Sequence, residues 1–172
     1  MPLSASRLVV FASASALALA LVCALGGPSA HAQLLEQKSI SAAMAFAMAE
    51  TAIDTCKTNG YRVSVTVVGR VGEVILQVRG DNVPPHTVEN SERKAYTART
   101  FRMPSGEWGK NLANDPVRSG QFLTGVIGFA GALPIKVGDE VIGAIGVSGA
   151  PGGDKDEVCA KAAIDKVADQ LK

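Results

Sequence analysis

Charge of one sign is missing from this sequence. Its 172 residues carry 17 Lys and Arg against 16 Asp and Glu, a formal net charge of +1. That balance excludes the basic surface of a nucleic-acid binder and the acidic tail of a disordered chain. Histidine is scarce, with only His31 and His86 present, and His31 lies in an N-terminal segment of leader character. A Ser-His-Asp triad would have to use His86 from a proline-rich loop. Ser148, in Gly146-Val147-Ser148-Gly149-Ala150, lacks the last glycine of a nucleophile elbow. Glycine is plentiful, but the phosphate-loop spacing Gly-x-x-x-x-Gly-Lys-Ser/Thr does not occur. Gly143, Gly146 and Gly149 instead recur every third residue through a strand and its exit, as close backbone approach requires. There is no internal repeat beyond a loose echo between two hairpins.

Residues 1–32 contain Arg7 as their only charge, followed by an apolar stretch from Val9 to Leu25, the helix breaker Gly26-Gly27-Pro28, and Ala30-His31-Ala32. This is the order of a secretory signal peptide, and cleavage after Ala32 is expected. The run is also near the lower length for a membrane-spanning helix, but its small-x-small end favours removal. Residues 33–172 are then a single domain in the periplasm or outside the cell, with no stable membrane anchor. Those 140 residues hold 16 basic and 16 acidic side chains, and with them go the grounds for nucleic-acid or anionic-membrane binding. They retain Cys56 and Cys159, an even number for an oxidising compartment. A disulfide between them would close a loop of 103 residues, worth about 4–5 kcal/mol in the chain-entropy treatment. Two buried thiols are the alternative.

Periodicity places a first helix over residues 40–59, with Ile40, Met44, Ala47 and Thr51 on one stripe, Ala43, Phe46 and Ile53 beside it, and Gly60 as its stop. Val63, Val65 and Val67 alternate with Arg62, Ser64 and Thr66, and residues 73–79 complete a hairpin. Residues 80–85 form a loop in which Arg79-Gly80-Asp81 is explained by a turn. A second helix spans 88–102, capped by Thr87 and stopped by Pro104. A short polar segment with Trp108 and Leu112 follows, broken at Asn114-Asp115-Pro116. Stretches 124–137 and 140–148 pair across Gly138-Asp139. Asp154 and Glu157 suggest a capping box for a last helix that buries Val158, Ile164, Val167, Ala168 and Leu171. The expected order is α-β-β-α-β-β-α, an α+β fold with an antiparallel sheet flanked by helices.

The unusual residues cluster at the start of the second helix. His86 follows Pro84-Pro85 and should be exposed, as a haem-ligating or an ordinary surface histidine. Glu89 and Glu92, spaced i, i+3, project from one face of the first turn, which suits iron and equally suits the positive helix N-terminus. Arg93, Lys94, Arg99 and Arg102 give the helix basic groups for propionates or carboxylates.

The blocks Val78-Arg79-Gly80-Asp81, Glu89-Asn90-Ser91-Glu92-Arg93-Lys94-Ala95-Tyr96-Thr97-Ala98, Gly143-Ala144-Ile145-Gly146-Val147-Ser148-Gly149-Ala150-Pro151 and Asp156-Glu157 together resemble the GlcG/HbpS family of haem-binding and haem-degrading proteins, above all its secreted HbpS-like branch. The resemblance implies haem as ligand, a bound iron, a homo-oligomer, and a sensor or transport protein as partner. It maps the branch's Glu-x-x-Glu iron site onto Glu89 and Glu92 and the lysine after it onto Lys94. The haem-ligating histidine that some members carry in the first helix has no counterpart here, leaving His86, Tyr96, Met103 and Thr124 as axial candidates, with Arg93 and Lys94 beside them. Ala132 departs from the family's Gly-Gly-x-Pro turn. Relatives that accompany glycolate and corrinoid metabolism make a non-enzymatic small-molecule-binding or interaction module the competing expectation.

Overall fold

β-Branched residues dominate Ser64–Val68 (β1), which pairs antiparallel with Val74–Val78 (β2), Val65 opposite Val78. The computed structural model describes residues 34–172 except 116 and 118–122, and residues 37–172 form one compact unit. The expected signal peptide and its cleavage site lie outside the described residues. A second hairpin, Ala132–Val137 (β3) with Glu140–Ser148 (β4), turns at Gly138-Asp139 as expected. β4 pairs antiparallel with β1, giving the strand order β2-β1-β4-β3.

Successive side chains of β1 and β4 point to opposite faces. Val65, Val67, Ile145 and Val147 enter the main core beneath Ala42–Thr58 (α1) and Gly153–Lys166 (α4). The other face receives His86–Phe101 (α2), whose Ala95 and Ala98 pack with Val68, Ala132 and Ala144. Gly146 makes that approach possible, because a Cβ there would lie 2.1 Å from the carbonyl oxygen of Ser91. Ser41 caps α1, its Oγ accepting from the Met44 amide at 3.1 Å.

The architecture is the expected α+β fold, and several local expectations are corrected. The polar segment after α2 is a helix, Ser105–Asn114 (α3), so the order is α-β-β-α-α-β-β-α, ending in a single 3₁₀ turn at Ala168–Gln170. Its glycines are poor helix formers. It is held by tertiary packing, with Trp108 buried and stacked on Phe101 at 3.5 Å between ring centres. The β3 strand begins at Ala132 rather than 124.

On α1 the buried stripe is Ala45, Met48, Ala49, Ala52 and Cys56, leaving Phe46 61% exposed. Small residues win that face because α1 packs against α4, where Cys56 and Cys159 form a disulfide. At α4 the expected stripe holds in part. Val167 is buried and Ile164 and Leu171 pack against the core as expected, but Asp156, Cys159, Ala160 and Ala163 take the buried face of the helix, Val158 is 55% exposed, Ala168 beyond the helix is exposed, and no side chain caps the helix. Thr87 lies inside α2 rather than capping it.

Candidate functional site

Ser64 and Thr66, the polar half of the β1 alternation, are buried and fix α2. Ser64 Oγ bonds Thr87 Oγ1, and Thr66 Oγ1 bonds Ser91 Oγ, each at 2.8 Å. Since Thr87 donates to Pro84 O and Ser91 to Val88 O, the strand hydroxyls are the donors in both pairs. Farther along, Thr97 Oγ1 donates to Arg93 O and accepts from the Ile127 amide, both at 2.8 Å. Lys94 completes the anchoring. Its ammonium donates to Asp156 Oδ2 at 2.9 Å and to Val147 O at 3.1 Å. Burial pushes the Asp156 carboxyl above its ordinary range, opposed by Lys94 and by the Ala150 amide. Lys94, expected beside the ligand, thus turns inward as a structural cation.

With that face fixed, α2 turns Glu89, Glu92, Arg93 and Tyr96 outward, the glutamates exposed and the other two half-buried. His86 stands exposed in the first turn, as expected. Glu89 Oε1 pairs with Arg93 at 3.4 Å, and Arg93 also donates to Val126 O at 3.2 Å. Glu92 Oε2 accepts from Gln77 Nε2 at 3.1 Å. Gln77 also donates to Thr66 Oγ1 at 3.0 Å, so the strand hydroxyl network extends to this carboxylate. Sequence reading missed Gln77, and its period-two match with Thr66 on paired strands was the signal that could have found it.

Tyr96 is held by shape. Gly72 and Gly125, both at φ +85°, border its ring, and a Cβ at Gly72 would come within 2.7 Å of it. Of the other axial candidates, Met103 is half-buried and accepts from Asn111 at 3.6 Å, and Thr124 is exposed.

Among the described residues no three His, Cys, Asp or Glu side chains come together to hold a metal. Glu89 and Glu92 supply two carboxylates, so a cation held there would need further ligands from beyond the described residues. Hollows with the volume of a cofactor site include two larger ones among the described residues. One of about 540 Å³ runs along α1 past Phe46, Ile53 and Val78, rimmed by Glu50 and Asp54. The other, about 750 Å³, lies between α3 and the start of α4 beside Gly106, Gly128 and Glu157. Neither is lined by His86 or Tyr96.

These features define an α+β domain whose distinctive chemistry is carried by one outward helix face. The family model described as haem degrading protein HbpS-like matches residues 40–165, and the chain belongs to that family. It is 32% identical over 108 residues to a 15.0 kDa protein from the dhaT-dhaS intergenic region of Citrobacter freundii, covering 58% of this chain and 72% of that one. A Streptomyces reticuli HbpS in which two glutamates three positions apart are changed to aspartate superposes with a TM-score of 0.72. It is 31% identical, over 81% of this chain and 96% of that one. A PduOC:heme complex, 20% identical with a TM-score of 0.66 over 74% of this chain and 94% of that one, shares the fold.

Proposed function

We propose that this chain is an exported haem-binding protein that degrades the haem it holds or sequesters the released iron, acting as a homo-oligomer. The observation that carries this reading is the match of residues 40–165 to a haem-degrading family, a span that includes all of α2. His86 and Tyr96 offer an imidazole and a phenol of the kinds that ligate haem iron, and Arg93 offers a fork for a propionate. Because neither large hollow contains these groups, the haem would lie against the open α2 face, with a second copy covering its other side. Bound haem would supply the redox-active iron, while the chain's own residues hold and orient it. Export is supported by the leader order of residues 1–32 and by the Cys56–Cys159 disulfide, a bond that persists in oxidising compartments. A sensor or transport protein would receive the haem or iron.

In hemin titrations the axial ligand is expected to reveal itself as the one substitution, His86→Ala or Tyr96→Phe, that weakens the saturable Soret shift by at least about tenfold, roughly 1.4 kcal/mol. Equal titrations for both variants and the parent would remove both residues from the iron. Iron binding by Glu89 and Glu92 is supported by their sharing the i, i+3 spacing of the two glutamates changed in the HbpS double mutant. Glu89→Ala combined with Glu92→Ala is expected to lower ferric or ferrous iron loading, measured by metal analysis after gel filtration, with an unchanged far-ultraviolet circular dichroism spectrum. Full loading in that variant would return both side chains to interaction with the helix dipole.

A further inference from the structure

Beside Tyr96, the turn after β1 and the C-terminal half of α2 enclose a cleft of about 220 Å³, lined by Arg70, Val71, Gly72, Tyr96, Arg99 and Thr100. Its two guanidiniums differ sharply. Arg70 is committed to Glu140 and to the carbonyl oxygen of Lys38. Arg99 makes no hydrogen bond or ion pair among the described residues, and its Nε is buried without a partner. The hydroxyls of Tyr96 and Thr100 also make no hydrogen bond among the described residues. Three kinds of donor therefore line one small cleft with no acceptor assigned to them.

Charge points the same way. Burial, followed by Arg102 and Arg70, lowers the Arg99 pKa below its ordinary value, and Glu73 and Glu140 offset this only in part. Glu140 is paired with Arg70, and Glu73 Oε2 accepts from the Val71 amide at 2.9 Å. The negative end of α2 accounts for an arginine in its last turn. It does not supply an acceptor for a buried Nε, and a buried donor left unmade costs about 1–3 kcal/mol.

We propose that this cleft is a binding site for a small oxyanion, a carboxylate or phosphate group, gripped by the fork of Arg99 with the Tyr96 and Thr100 hydroxyls. A guanidinium suits both anions through paired N–H donors. The cleft lies below the range of about 300–1,000 Å³ that encloses a whole organic ligand, so it takes a small anion or the acid group at the end of a larger molecule. Two sources share that chemistry, a free anion and a propionate of haem. The second rests on the haem reading above.

The test titrates the protein with inorganic phosphate and with succinate at ionic strength matched by chloride, following the amide resonances of Val71, Gly72 and Thr100. At least one probe is expected to give a saturable shift that Arg99→Gln weakens by at least about tenfold, the factor for one charge-assisted pair. Arg99→Lys, which keeps the charge and loses the fork, serves if Arg99→Gln does not fold. Hemin and hemin dimethyl ester are titrated in parallel. Preference for the free acid that disappears in the Arg99 variant assigns the site to a propionate, and saturation by phosphate or succinate without that preference assigns it to a free anion. No saturation by either probe together with equal binding of hemin and its ester overturns the proposal, as does saturation undiminished in the Arg99 variants. A protein that binds no hemin would end the haem reading and leave the phosphate and succinate titrations to decide the site.

Discussion

Asp156→Leu and Lys94→Met are each expected to destabilise the fold by about 3–5 kcal/mol in urea melts at pH 7, because each leaves one member of a buried ion pair uncompensated. The two side chains are only 3% and 5% exposed. Between them they join α2 to β4 through Val147 O, and to α4 and the preceding turn through Asp156 and the Ala150 amide. The double variant, which puts apolar groups in place of both, is expected to recover most of the loss.

The pH dependence has a definite sign. A carboxyl whose folded pKa is raised binds more protons folded than unfolded, so its contribution to stability falls as pH rises above the ordinary value of 3.8 through the raised one. Lys94→Met removes the group that opposes this rise, so its loss should shrink between pH 7 and pH 5. A loss below about 1 kcal/mol in both single variants would place the pair among ion pairs of surface strength.

Reducing the Cys56–Cys159 bond, or replacing both residues by alanine, is expected to cost about 4–5 kcal/mol, since the bond closes a loop with a sequence separation of 103. Both cysteines are fully buried where α1 meets α4, so the bond constrains the unfolded chain and staples the main core. Urea melts with and without reductant measure the difference. Coincident curves, or two reactive thiols in denatured, unreduced protein, would contradict it.

The two hairpins were legible in the sequence because period-two alternation and the Gly138-Asp139 turn are local signals, and the cysteine pair was legible from its parity. The helix Ser105–Asn114 was not, because Gly106 and Gly109 weigh against it and it is held by non-local contacts, the stacking of Trp108 on Phe101 and the Ala132 amide donating to Ser105 Oγ among them. Alanine obscured the buried faces of α1 and α4. Where Ala45, Ala49 and Ala52 face Ala160 and Ala163, the larger Phe46 and Val158 misdirect a periodicity count. Among the candidate residues, the i, i+3 spacing placed Glu89 and Glu92 on one outward face of α2, where both are exposed. Lys94 was misplaced because its partner Asp156 lies 62 residues away in sequence. Gln77 and Arg99 acquire their meaning from groups that only the fold brings near, Glu92 in one case and the turn carrying Arg70 and Gly72 in the other.

Haem binding by the α2 face of imidazole, phenol and guanidinium, proposed for this member of a haem-degrading family, is open to direct test. Titration of residues 33–172 with hemin, followed at the Soret band and then by size-exclusion chromatography, is the decisive measurement. The expected result is a shift that saturates at a defined ratio of hemin to chain, with the haem co-eluting with an assembly larger than one chain. Absence of a saturable shift at micromolar hemin would contradict it and favour a binding module for another small molecule.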